Sequence, residues 1–225
     1  MRRFFVFFIF LFVVKLCFAQ KDSLEIGSRY ADDQVYLSIS YSQLIDQPSA
    51  ISKSNFSYGL SFGFIKDVIL NKQGNVSVAA GFGYGYNFFN HQLKVERIND
   101  IDIFSDDSSI SKNFFKSSNL EFPIELRWRT SSINKYDFWR IYAGIKFLYN
   151  FSNKFEFVDE DDVSFEYSNI NSYNKLQYGL TISAGYDEFN INVYYGLTPV
   201  FDNSYIEGEK INTKILKFGL IFYLL

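Results

Sequence analysis

Cysteine is almost missing from this chain: 225 residues hold one, Cys17, and it lies in the N-terminal apolar stretch. Arg2 and Arg3, the apolar run from Phe4 to Val14 and the small Ala19 have the order of a secretory leader. Cleavage is expected after Ala19, making residues 1–19 a leader and 20–225 one mature domain. A lipoprotein anchor on Cys17 is the competing reading, but Lys15 interrupts the apolar stretch such an anchor needs. Once the leader is removed no cysteine remains, which excludes disulfides and thiolate metal sites. Removing Arg2, Arg3 and Lys15 takes the basic residues from 22 to 19 against 25 acidic ones, a balance of −6. Nothing in that balance points to nucleic acid as a partner.

Long apolar runs are also lacking. The leader is too short to span a bilayer, and no later stretch approaches the roughly 18–20 apolar residues a membrane helix requires. No helical period appears in the mature chain. Histidine is nearly absent as well, with His91 alone. A lone histidine near Ser and Asp residues is no catalytic constellation, although some membrane barrels do use one at their outer rim. Gly81, Gly83 and Gly85 are spaced by two, so they share one face of a strand and do not form a phosphate loop. These absences argue against an enzyme, and no cofactor or metal is expected.

What the chain has in excess is rings: 27 Phe and 17 Tyr. They are arranged with period two. Over Asn119–Thr130, Leu120, Phe122, Ile124, Leu126 and Trp128 alternate with Glu121, Pro123, Glu125, Arg127 and Arg129. The next segment alternates Trp139, Ile141, Ala143, Ile145, Phe147, Tyr149 and Phe151 with Arg140, Tyr142, Gly144, Lys146, Leu148 and Asn150. Strict alternation of this kind describes strands between two different solvents. It predicts eight strands, near 33–45, 55–66, 74–93, 115–130, 138–157, 174–187, 189–200 and 211–225. The fold class is therefore all-β, a transmembrane antiparallel up-and-down barrel. A soluble sandwich or lipocalin-like barrel is the alternative. Its exterior would need Lys and Glu, whereas the polar faces here are mostly Gly, Ser and Asn.

Connection lengths alternate. Those near 67–73, 131–137 and 187–188 are short; those near 46–54, 94–114, 158–173 and 201–210 are longer. Short turns face the periplasm and long loops face outside in outer-membrane barrels, so both termini are expected on the periplasmic side. Trp128 and Trp139 flank one short turn and are assigned to an interfacial aromatic girdle. Pro123 cannot donate to a ladder, and a bulge or local break is expected there.

Charges at lumen-facing positions form the next group: Glu121, Glu125, Arg127, Arg129, Arg140 and Lys146, with Lys175 and Lys217 from other strands. They read either as a selective pore lining or as a paired plug, and side chains already fill an eight-stranded interior. The acidic stretches Asp106-Asp107 and Asp159–Asp162 lack the ligand spacing of a calcium loop and read as solvated outer loops. At the C-terminal end, Lys217, Gly219, Phe222 and Leu224 resemble the terminal signal by which barrel-assembly machinery recognises its clients. A greasy, aromatic-ended strand can pair with an open sheet edge of that machinery.

The stretch Glu121–Arg129 (Glu-Phe-Pro-Ile-Glu-Leu-Arg-Trp-Arg), followed by Tyr142-Ala143-Gly144, resembles the PorT-like outer-membrane barrels of Bacteroidota. The resemblance spans the mature chain and implies the same fold, in the outer membrane, surrounded by its lipid. It further implies envelope partners, with one branch of the family linked to type IX protein secretion and gliding. It supplies no catalytic residues. Two functional classes follow: a non-enzymatic structural or interaction component, accessory to secretion or membrane assembly, and a passive porin-like pore for small solutes.

Overall fold

A computed structural model describes residues 33–51, 55–107, 110, 112–130 and 139–224. The expected leader and the whole of the 131–137 turn lie outside the described residues. The described chain forms thirteen strands and no helix. In order they are β1 (Gln34–Ile45), β2 (Tyr58–Ile69), β3 (Val76–Asn90), β4 (Leu93–Ile98) and β5 (Ile101–Asp106). Next come β6 (Lys112–Arg129), β7 (Trp139–Val158), β8 (Ser164–Ser168) and β9 (Leu176–Tyr186). The last are β10 (Phe189–Gly196), β11 (Tyr205–Ile206), β12 (Glu209–Lys210) and β13 (Lys214–Leu224).

Eight of these strands close a ring in the order β6-β3-β2-β1-β13-β10-β9-β7, and β7 pairs back to β6. Every neighbouring pair is antiparallel. Closure through β1 and β13 removes the free edges that an open sheet would expose. Alternation decides which way each strand faces. Leu120, Phe122, Ile124, Leu126 and Trp128 are exposed on the outer wall, while Glu121, Glu125, Arg127 and Arg129 between them are buried. The two-residue turn Asp187-Glu188 pairs Tyr186 with Phe189, and Asp187 takes a φ of 53° to close it.

Two irregularities shape the barrel. At Pro123 the β6–β7 register runs on without a shift, but on the other side the β3 pairing skips Gly81 and Phe82. Proline there breaks the ladder locally and makes no bulge. The bulge lies in β7, where Ser118 pairs with Ser152 but Asn119 pairs with Asn150, leaving Phe151 as the extra residue. An extra residue reverses the facing of everything beyond it. Phe155 and Phe157, which uninterrupted period two would turn outward, are therefore buried inside.

The long connections are structured beyond the eight expected strands. A β4–β5 hairpin fills the 94–114 connection and turns through Asn99 (φ 50°) and Asp100 (φ 62°). Positive φ at both central residues is the turn that matches strand twist, and Asn and Asp tolerate it. β8 extends the β7 wall, and β11–β12 form a small hairpin of their own. Together these segments enclose a second, apolar core at the end of the barrel with the long loops, built around Phe89, Phe115, Phe155, Tyr173, Phe201 and Ile211.

Candidate functional site: a closed lumen and an ordered outer rim

The lumen is filled in two layers of different chemistry. The inner layer is polar and centres on Glu121 of β6. Its carboxylate accepts hydrogen bonds from Lys146 Nζ of β7 at 2.9 Å, Ser61 Oγ of β2 at 2.9 Å and Tyr36 Oη of β1 at 3.4 Å. Room for that carboxylate comes from Gly85 of β3, where a Cβ would sit 2.2 Å from Glu121 Oε1. Deeper in, Arg127 donates from Nε to Glu125 Oε2 at 3.0 Å and from Nη1 to Gln34 Oε1 at 3.2 Å. Its guanidinium also lies 4.5 Å from the ring centre of Tyr142 and 5.4 Å from that of Tyr223. Arg129 donates to Asp67 Oδ2 at 3.0 Å and to the Gly74 carbonyl at 2.9 Å. Arg140, opposite Arg129 in the β6–β7 register, is buried at the same level.

Burial of this many charges is tolerable because the inner layer mixes both signs and the donors are shared. The structure thus brings together Glu121, Glu125, Arg127, Arg129, Arg140 and Lys146 inside the barrel. Lys217 joins them, buried, with its ammonium 5.6 Å from the Tyr194 ring. Lys175 does not: it precedes β9 and is exposed. Asp67 is the member sequence reasoning missed, because β2 was expected to stop at 66 and instead runs to Ile69. Its signal was the continuing parity of Gly63, Ile65 and Asp67.

Above the polar layer the lumen becomes apolar. Phe115 stacks on Phe155 at 4.4 Å and on Phe89 at 5.2 Å, and Tyr173 and Phe201 close over them. Ile51, Leu93 of β4, Val200 and Ile211 complete the plug. His91, the lone histidine, is buried within it. Among the described residues, no group of three His, Asp or Glu is arranged to hold a metal ion. Asp159 uses its carboxylate on the backbone N–H groups of Asp161 and Val163, at 3.0 and 2.9 Å, to fold its own turn.

The outer wall shows where lipid ends. Trp128 and Trp139 are exposed near one rim, where Trp139 meets Tyr186 at 5.5 Å and Phe189 meets Phe222 at 5.3 Å. Ten residues along β6 from Trp128 stands Ser118, and beyond it ion pairs appear on the outward face beside the Phe88–Phe114 ring pair. Lys116 pairs with Glu156 at 3.0 Å and Lys154 with Glu166 at 2.6 Å. Ten residues at about 3.3 Å each, tilted by about 40°, make an apolar band about 25 Å tall, the height such barrels present to lipid. Within that band Leu220 and Leu224 of β13 face out and Lys217 faces in, Gly219 lies against Ser40 of β1, and Phe222 pairs with Leu37.

Above the band the rim segments are tied to one another. Arg97 Nε of β4 donates to Asp102 of β5 at 3.0 Å, and Asp102 also accepts from Ser172 N and Oγ at 2.7 and 2.9 Å. A second donation from Arg97 reaches the Asn169 carbonyl at 3.0 Å, tying the β4–β5 hairpin to the segment after β8. The tip of that hairpin leaves Ile98 and Ile101 exposed.

Comparison with known proteins finds distant structural likenesses and one family. Solved structures that resemble the chain include Ail, the attachment invasion locus protein of Yersinia pestis, in complex with the heparin analogue sucrose octasulfate. That likeness has 14% identity and a TM-score of 0.40, over 86% of this chain and 97% of that one. A second structure of Y. pestis Ail has 12% identity and a TM-score of 0.39, over 87% and 99%. A mutant of the Rh. blastica porin has 9% identity and a TM-score of 0.22, over 87% and 100%. No curated protein matches the chain. The family model described as outer membrane protein beta-barrel domain matches residues 18–202, most of the sequence, and the chain belongs to that family.

Proposed function

We propose that this outer-membrane barrel is a non-enzymatic interaction component of the envelope, working through its outer rim and not by conduction. The observation that carries the reading is the doubly filled lumen, charge-paired around Glu121 and Arg127 and apolar around Phe115 and Phe155. An eight-stranded barrel has an interior just wide enough for side chains, and here it is occupied along its length. The porin-like alternative would need a continuous polar path, which the Phe89–Phe115–Phe155 stack interrupts.

The finer form of the proposal places the long-loop rim outside the cell and both termini in the periplasm, with a leader over 1–19 directing export. Resemblance to PorT-like barrels of Bacteroidota supports a role accessory to type IX-like protein secretion or to outer-membrane assembly. In that reading Lys217, Gly219, Phe222 and Leu224 serve the assembly machinery during insertion. Two measurements test it together: planar-bilayer recording of the purified barrel, and affinity capture of the native protein from mildly solubilised membranes. Closed or barely conducting barrels with an envelope protein captured support the proposal. Stable channels of large conductance with nothing captured replace it with the pore.

A further inference from the structure

The outer plug encloses a histidine among aromatic rings. His91 follows β3, five residues past Tyr86 and beyond the apolar band, and is 4% exposed. Its ring stands edge-on to Phe115 and to Phe155, 6.2 Å from each, at 86° and 85°. Its backbone N–H is used, donating to the Asn113 carbonyl at 3.1 Å. Neither Nδ1 nor Nε2 has a hydrogen-bond partner among the described residues. The ring borders a cavity of about 10 Å³, the space of about one water molecule.

Among the described residues that line this cavity, none carries a charge. Leu44 of β1 and Gln47 after it stand on one side, and Leu93 of β4 on another. The segment between β10 and β13 contributes Phe201 and Thr213. Tyr173, against Phe115 and Phe201, is a titratable group packed on this stack. Burial pushes its phenol up to about 12, so it stays neutral throughout the acid range. Asp46 and Lys214, at the neighbouring strand ends, pair with each other at 2.8 Å.

We propose that His91 is an acid-sensitive latch: protonation of its ring releases the loop segments that close the barrel mouth, while the strand wall and the inner charge layer stay in place. Among the described residues neither ring nitrogen has an acceptor in the closed plug, so an imidazolium there would hold two unpaired donors, and an isolated buried charge is costly. Relief comes from the part that yields most readily. Leu93, Val200 and Phe201 belong to connecting segments, whereas the wall is held by a continuous backbone ladder.

The direction with pH is fixed by the burial. Desolvation pushes the His91 imidazole down to about 4 with the plug closed, against about 6.5 for a solvated histidine in the opened plug. The closed state is therefore fully favoured above about pH 6.5 and loses that advantage as pH falls towards 4. Between those limits opening grows about tenfold per pH unit, and from pH 7.5 to pH 5 by about 30-fold.

The test uses the barrel purified without an affinity tag, in lipid vesicles. Hydrogen exchange, corrected for its intrinsic pH dependence, is followed for residues 93–106 and 198–213 and for the strand wall. Protection of the outer segments should fall about 30-fold from pH 7.5 to 5, with the wall unchanged. In His91→Phe and His91→Gln the fall should be less than about 3-fold. Because His91 is the chain's sole histidine, its ring NMR signal is also readable in the unsubstituted protein. It should become charged only together with the loss of protection. Equal loss in the wild type and either folded variant, no loss in the wild type, or a ring that titrates near 6.5 with the plug still closed would each overturn the latch.

Discussion

Phe115 and Phe155 lie face to face, 4.4 Å between ring centres and 9° from parallel, because β7 carries one residue more than β6 requires. Phe115 points inward by ordinary alternation along β6. Phe155 points inward only because Phe151 is unpaired and the facing of β7 reverses beyond it. The bulge thus converts what would be a lipid-facing aromatic into the middle of the plug. Phe155→Ala should cost about 3–5 kcal/mol through the cavity it leaves. The loss should appear as weaker protection of the outer segments, with heat-modifiable migration on gels retained. Loss of barrel assembly instead would show that the stack is needed to build the wall.

That bulge also marks where sequence reading stops. Alternation in Asn119–Arg129 and Trp139–Asn150 was enough to place eight strands and sort their faces, since each residue's side follows from parity alone. Parity fails across an inserted residue, and nothing in Tyr149-Asn150-Phe151-Ser152 announces that one of the four is extra. Asp67 was overlooked for a related reason: its inward position follows from Gly63 and Ile65 once β2 is carried three residues further. The β4–β5 hairpin was more legible. Leu93 and Val95 alternate with Lys94 and Glu96, and Asn99-Asp100 is a turn pair, yet the acidic character of the stretch suggested a solvated loop. Partners such as Ser61 and Gln34 come from distant strands, and only the closed ring brings them to Glu121 and Arg127.

The inner layer should behave as a coupled set. Glu121→Gln leaves Lys146 buried without its carboxylate and should destabilise the barrel by about 3–5 kcal/mol. Adding Lys146→Met removes the orphaned charge and should recover much of that loss. Urea unfolding of the two single variants and the double variant in lipid vesicles measures the coupling. Additive losses would mean that Glu121 is held mainly by Ser61 and Tyr36.

Facing can be tested on the outer wall by depth. Ile124→Arg puts a charge near the middle of the apolar band and should cost about 2–4 kcal/mol. Ser152→Arg puts the same charge beside the ionic rim, where Lys154 and Glu166 already stand, and should cost about 0–1 kcal/mol. The same vesicle unfolding assay reads both. Equal costs would place the upper edge of the lipid elsewhere than between Ser118 and Lys116.

Close strand approach gives a sharper test of the β6–β7 contact. A Cβ on Gly144 would lie 2.0 Å from the Ile124 carbonyl oxygen and 2.8 Å from Glu125 Cα. Both are backbone atoms, so no side chain can move aside to make room. Gly144→Ala should therefore lower the yield of heat-modifiable barrel strongly, and Gly208→Ala, in an open turn with φ 84°, should do so only weakly. Normal assembly of Gly144→Ala would mean that the two strands separate more easily than their continuous register suggests.

Partner recognition is predicted to use the tip of the β4–β5 hairpin. Ile98 and Ile101 stand opposite each other across the Asn99-Asp100 turn, and both are more than half exposed. Large apolar residues at a projecting tip are costly to leave in water, and they are the side chains an interface buries at its centre. The hairpin is also prearranged: Arg97 locks onto Asp102, and Asp102 onto Ser172, so little ordering cost falls on binding. Substituting both isoleucines by Asp leaves those bonds untouched and should leave assembly and gel migration unchanged. Capture of the envelope partner from solubilised membranes should nevertheless drop at least tenfold, equivalent to about 1.4 kcal/mol. Undiminished capture by the folded double variant would move the interface from the hairpin tip to another part of the rim or to the lipid-facing wall.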